Sequence, residues 1–244
     1  MMRVARLVAR SGLMSRRQAD AALLEGRVTV DGRIASLGAT ASVDAAVAVD
    51  GRRAREAPPE EAAVWLAYKR RGEAVARDGS RGAAPSVLDR LGLGARVAAV
   101  GRLDVASEGL LVLTSCDTLA RALERHAGGP LAAEYDVRVN GFLTPSKLAS
   151  MRRGPRVGGV KHAPLGVRVA DARPKRATLS VADRGGGGDR AIRAICDHLR
   201  LRVGRIARTR LGPFSLAALP DRGAVRRVPV PRGLRRYVAA QRGV

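Results

Sequence analysis

From Val100 to Asp117 the chain reads VGRLDVASEGLLVLTSCD. An arginine and an aspartate stand two residues apart inside a run that is otherwise largely apolar, and Leu110–Thr114 has the length and character of a strand. A carboxylate so placed is either hydrated in a turn or held ionised in a cleft for chemistry, because an unpaired charge is not buried in a core without a large desolvation cost. Asp104 is therefore the residue whose surroundings decide what this chain does.

The rest of the sequence reads as two units. In RVARLVARSG, Val4, Leu7 and Val8 share one helical face and Gly12 closes the helix. In SRRQADAALLEG, Ser15 with Gln18 is a capping-box pair and Gly26 is the stop. RVTVDGRIA and AAVAVDGR then alternate as short strands, each with an Asp-Gly turn. Residues 1–52 thus form a small α+β module, residues 53–63 a proline- and charge-rich linker, and residues 64–244 a larger domain. That domain begins with VWLAYKRRG from Val64, an apolar strand ending in a basic turn, and strand-like runs are expected again at Val97–Gly101, Leu110–Thr114, Tyr135–Val139, Gly166–Val169, Ala177–Val181 and Gly212–Leu216. Helices are expected near Thr118–His126, Pro145–Arg152 and Asp189–Leu199. Strands and helices do not alternate regularly, which argues α+β with a mixed or antiparallel sheet. Gly185–Gly188 reads as a loop; it lacks the lysine of a phosphate-binding P-loop.

Charge narrows the partner. The formal net charge is +23 over 244 residues, a self-repulsion that a polyanionic partner relieves. The first 52 residues carry only +3 of it, and the stretch from Arg200 to Val244 has 12 arginines against the single acid Asp221. Aromatic residues are 2%, too few for a stacking platform on single strands. A structured nucleic acid read through its phosphates and shape fits better, and no segment reads as a major-groove recognition helix. No apolar run approaches the roughly 20 residues of a membrane span, and the arginine-rich start lacks the apolar block of a signal peptide. A cytoplasmic, monomeric protein is expected. Cys116 and Cys196 cannot make a disulfide framework, and His126, His162 and His198 are scattered, so no metal is expected.

Two resemblances sharpen these expectations. Gly12, Ser15-Arg16-Arg17, the string Glu25–Val30 and Gly32 resemble the S-four RNA-binding module. That resemblance places Arg16, Arg17 and Arg27 toward RNA, with Arg16 and Arg17 at a helix start where backbone N–H groups already favour phosphate. Gly101-Arg102-Leu103-Asp104, Ser107, Gly109-Leu110-Leu111 and Leu113-Thr114 resemble the signature of pseudouridine synthases. The order of the two units is similar to the RsuA-type family that modifies ribosomal RNA. Tyr135 in EYDVRV and Arg193 in IRAI match that family's active-site tyrosine and arginine, and GRIARTRLGPFSLAAL with Arg226-Arg227 matches its C-terminal segment.

The resemblance implies an isomerase that cuts the bond between ribose and nitrogen 1 of a flipped-out uracil, turns the base, and rejoins it through carbon 5. It needs no cofactor. Asp104 acts as nucleophile or base, Arg193 supplies its countercharge, Tyr135 walls the base, and Arg102 holds the RNA. Arg205, Arg208 and Arg210 are expected on the phosphates of a flanking helix. The chain departs from the family pattern in several places. The turn Lys69-Arg70-Arg71-Gly72 lacks a proline, Ala133 replaces a lysine before Tyr135, and Ala191, Ala194 and a glycine replace polar residues around Arg193. The alternative they leave open is an RNA-binding assembly factor derived from a synthase.

Overall fold

A computed structural model describes residues 1–55, 62–75, 84–93, 97–124 and 132–230. The N-terminal residues have a core of their own, made by Val4, Val8, Ala19, Ala22, Leu23, Val28, Val47 and Val49. Helix Val4–Ser11 ends where Gly12 turns left-handed at φ 74°, a conformation that costs glycine little. Helix Arg16–Leu24 starts on the expected capping box: Ser15 Oγ accepts the Gln18 N–H, and Gln18 Oε1 accepts the Ser15 N–H. Four short antiparallel strands follow, in spatial order Arg33–Ile34, Val28–Val30, Val47–Val49, Arg52–Arg53. Both Asp-Gly pairs take positive φ at each residue (49° and 79°, then 48° and 74°), the backbone of the tight turn that matches strand twist.

The larger unit is built on a nine-stranded sheet. Its main path runs Leu165–Arg173, Arg176–Asp183, Ala133–Asn140, Arg202–Leu211, Glu108–Thr114, Val64–Lys69, Val225–Val228. Every neighbouring pair is antiparallel except one: Arg202–Leu211 and Glu108–Thr114 run parallel, with Arg208 opposite Gly109. The mixed α+β architecture is thus the one expected. One face carries Tyr135, Val137, Leu179, Val181 and Ile206 under the helices Asp117–Glu124, Pro145–Arg153 and Gly188–His198. Among the described residues the other face is covered on one side of the parallel seam, where Val87, Leu88, Leu91, Leu93 and Val97 pack on Ala67, Leu111 and Leu113. Burial follows this plan. Glu108–Thr114 is buried at nearly every residue, whereas Ala133–Asn140 alternates buried and exposed along its whole length.

Three expectations need correction. Ala98–Ala99 is all that forms of the strand placed at Val97–Gly101. Gly212–Leu216 is not a strand but a turn with Gly212 at φ 53°, a two-residue pairing and a 3₁₀ helix at Leu216–Ala218. The central strand Arg202–Leu211 and the edge strand Val225–Val228 were not expected at all. Four arginines in ten residues mask the first, because its polar side chains belong partly to the core. The linker between 56 and 61, His126 and the basic tail from 231 onward lie outside the described residues. No described helix is long and apolar enough to cross a membrane.

Candidate active site

Asp104 sits on the loop that enters the central strand Glu108–Thr114, and that loop is tied down from several directions. Its carbonyls accept hydrogen bonds in turn: Arg102 O from Arg208 Nη1 (3.0 Å), Val105 O from the Gly72 N–H (2.8 Å), Ala106 O from Arg193 Nη2 (2.9 Å), and Ser107 O from Lys69 Nζ (2.5 Å). Arg193 Nη2 also reaches Ser107 Oγ at 3.0 Å. Its N–H groups are held by carboxylates: Gly101 N–H by Glu124 (2.8 Å) and Asp104 N–H by Asp189 (2.9 Å). Lys69 has no solvent exposure, and burial pulls its ammonium down to about 8 against the opposing pull of Glu73, Asp189 and Asp104. So many directed bonds preorganise the loop, and with it the carboxylate.

Glycine makes the seam possible. Gly109 has φ 107°, and a Cβ there would lie 2.4 Å from the Arg208 carbonyl oxygen. The glycine of the Gly-Leu-Leu string therefore lets two parallel strands close up beneath the loop. Register then assembles the remaining wall. Tyr135 pairs with Arg208 on one side and Val181 on the other, while Ala133 pairs with Asp183 and Leu211. At this end of the sheet a cavity of about 420 Å³ opens between the Asp104 loop, Tyr135, Arg208 and the glycine loop before helix Gly188–His198.

Four carboxylates line that cavity, and three have a backbone role. Asp183 accepts the Gly185 and Gly188 N–H groups, Asp189 that of Asp104, and Glu124 that of Gly101. Asp104 is the exception: among the described residues its carboxylate meets only Arg190 Nη2, at 3.4 Å, with both groups partly open to solvent. Tyr135 is 2% exposed, and burial pushes its phenol up to about 12, against the nearby Arg208. It stays protonated, a flat wall with a donor at its tip. Burial lowers the Arg208 guanidinium from its usual range; it donates to Leu110 O and Arg102 O, while Nη2 has no hydrogen-bond partner among the described residues. No group of three or more His, Cys, Asp or Glu among the described residues is placed to hold a metal ion.

The structure brings Asp104, Tyr135, Arg102 and Arg208 around one cavity and leaves the other named residues outside it. Arg193 lies behind the loop, on Ala106 and Ser107, and the guanidinium facing Asp104 is Arg190, three residues earlier on the same helix. Spacing of i and i+3 puts both on one helix face, which is the signal in the sequence that could have found Arg190. Arg208, expected on phosphates, is 1% exposed and supports the loop instead. Arg205 pairs with Glu108, and Arg210 stands 4.0 Å from Glu134, both away from the cavity. In the N-terminal unit Arg27 is engaged by Asp50 and Glu25, whereas Arg16 and Arg17 are exposed and without an ion pair among the described residues. Asp183 and Asp189 had no sequence signal beyond their place around the glycine loop.

This geometry has counterparts. An S4 domain matches residues 2–46. The crystal structure of a pseudouridylate synthase superposes with a TM-score of 0.63 over 97% of this chain and 100% of that one, at 18% identity, a likeness of fold. The class is therefore a pseudouridine synthase fold carrying an S4 domain at its N-terminus. Two relatives are closer in sequence. An uncharacterized RNA pseudouridine synthase of Rickettsia bellii (strain RML369-C) is 32% identical over 216 residues, 88% of this chain and 92% of that protein. The ribosomal large subunit pseudouridine synthase B of Escherichia coli (strain K12) is 32% identical over 237 residues, 95% of this chain and 76% of that protein. The chain belongs to the RsuA-type family of RNA pseudouridine synthases.

Proposed function

We propose that this protein converts one or a few uridines of structured ribosomal RNA to pseudouridine, with Asp104 the indispensable group. The observation that carries the proposal is the division of labour among the cavity's carboxylates: three are engaged on backbone N–H groups, and Asp104 alone lines the space with no backbone N–H on its carboxylate and only the long 3.4 Å contact to Arg190 among the described residues. A uridine reaches such a cavity only by leaving its stack. Asp104 then acts as nucleophile or base while the bond from ribose C1′ to N1 breaks and the bond to C5 forms. The C5 proton is lost and N1 gains one, so the reaction is a net isomerisation. Arg190 supplies the facing positive charge, and Arg193 positions the loop through Ala106 and Ser107. Tyr135 stacks on the base, and Arg102, exposed at the mouth, holds the departing nucleotide's backbone. Residues 1–52 serve as an RNA-reading module tethered through 53–63 to the catalytic unit at 64–244, and the protein works beside the ribosomal RNA of the cytoplasm as a monomer.

The test is a nucleoside-resolution pseudouridine map of ribosomal RNA from cells lacking the gene, complemented with wild type or Asp104→Asn. The expected outcome is one or a few missing pseudouridines that wild type restores and the variant does not. An unchanged map in the deletion strain overturns the reading in favour of an assembly factor that binds without turnover.

A further inference from the structure

On the sheet face away from Tyr135, the face that Val87, Leu88, Leu91, Leu93 and Val97 cover in part, a groove of about 390 Å³ is lined by Arg71, Arg138, Arg176, Arg205, Glu108 and Asn140. Register makes this an unusual surface. Arg138 on strand Ala133–Asn140 lies directly opposite Arg205 on Arg202–Leu211, and Arg176 lies opposite Asn140 on the next strand. Side chains directly across a sheet stand about 5 Å apart at Cβ, and like charges there are destabilising. Compensation is partial. Arg205 pairs with Glu108, and Arg71 donates to the Gly204 carbonyl at 3.3 Å. Arg138 and Arg176 are exposed and have no hydrogen bond or ion pair among the described residues. The groove therefore holds four guanidinium groups against one carboxylate, and two of the four have nothing to bind.

We infer that this groove is a second RNA site, which takes the phosphate backbone of the substrate on the far side of the sheet from the catalytic cavity. The inference rests on the RNA-modifying reading above and adds to it a place for the flanking helix. Planar guanidinium forks suit phosphate oxygens. A protein partner would need a buried apolar or aromatic anchor at the centre of the contact, and no such side chain lines the groove. Position supports the same occupant. Glu108 directly follows Ser107 of the clamped loop, and Arg71 lies in the turn whose Gly72 N–H binds Val105 O. The groove thus adjoins the loop that carries Asp104 through Glu108 and the Arg71 turn, and RNA that reaches this face lies next to that loop.

The experiment replaces Arg138 and Arg176 together by glutamine and measures affinity for in vitro transcribed, unmodified ribosomal RNA at several salt concentrations. It reads pseudouridine formation and thermal melting on the same samples. Two lost phosphate contacts flatten the slope of log affinity against log salt by about 1.4 to 1.8, a weakening of about 10- to 30-fold at 0.15 M salt. Removing the like-charge neighbours leaves the melting temperature equal to or above wild type. An unchanged salt slope while wild type forms pseudouridine overturns the groove and leaves the function standing. A flattened slope with no pseudouridine formed by wild type on any ribosomal RNA overturns the function and leaves the groove. A slope unchanged in the glutamine pair but also in Arg138→Glu with Arg176→Glu excludes any phosphate at this face.

Discussion

Two arginine-rich segments look alike as sequence and differ completely as structure. At the start of helix Arg16–Leu24, Arg16 and Arg17 stand exposed beside the free N–H groups of a helix terminus. Along strand Arg202–Leu211, Arg208 is buried and holds the Asp104 loop, Arg205 is paired with Glu108, and only Arg202 and Arg210 are exposed. The first segment presents its charge to solvent. The second uses much of its charge inside the protein, where a guanidinium bridges carbonyls that no apolar side chain could satisfy. Counting arginines therefore overstates how many meet RNA.

The comparison breaks most severely at the seam that the second segment depends on. Gly109→Ala adds a Cβ 2.4 Å from a backbone oxygen at φ 107°, so the two parallel strands must separate at a cost of about 4 kcal/mol or more. Gly32→Ala in the first unit faces open space at φ 79° and should cost only about 1 kcal/mol. Denaturant unfolding of the two variants compares them directly; similar losses would mean that backbone strain alone, not the close approach, governs Gly109.

Next in size is Arg208→Met. Leu110 O loses its donor in a buried place and Arg102 O in a partly buried one, a loss of about 2 to 4 kcal/mol. Isomerisation should fall with it, because the loop before Asp104 loosens. The salt slope of RNA affinity should stay as in wild type, since the side chain meets no solvent. A flattened slope would return Arg208 to the phosphate contacts.

Arg16→Gln with Arg17→Gln should behave in the opposite way. Stability is unchanged within about 0.5 kcal/mol, the salt slope flattens by about 1 to 2, and discrimination between ribosomal RNA and an unrelated hairpin weakens. Competition binding at two salt concentrations reads both effects. Retained discrimination would place the specificity of this protein in the catalytic unit.

The smallest effect concerns pH. Lys69 is held at about 8 against 10.5 in an open chain. Between those values the unfolded chain keeps a proton that the folded one has released, so stability rises with pH across that window and is flat in this respect below it. Relative to Lys69→Met, wild type should gain at most about 1.4 kcal/mol per pH unit above pH 8. Parallel stability curves for the two proteins from pH 7 to 10 would show that Lys69 is not desolvated.

Much of this was legible before any coordinate. The capping box at Ser15, both Asp-Gly turns and the two kinds of strand pattern are local, because a few neighbouring residues decide them by hydrogen bonding, φ preference and side-chain alternation. The spaced string from Gly101 to Thr114 marked Asp104 in the same way. Strand Arg202–Leu211 escaped because its inward residues include an arginine, and a pattern of apolar periodicity cannot register a buried guanidinium.

By itself, then, the sequence determined the N-terminal unit, the mixed character of the main domain, the basic charge that suits a polyanionic partner and the aspartate on which the proposed chemistry turns. Each follows from residues near one another or from total charge. Only the tertiary structure decided which arginine faces Asp104, which ones are consumed in holding its loop, and that Arg71, Arg138, Arg176 and Arg205 share one groove. Those residues come from separate segments whose register and parallel seam are set by packing across the whole sheet, and a side chain's charge does not reveal whether water, a carbonyl or a phosphate will be its neighbour.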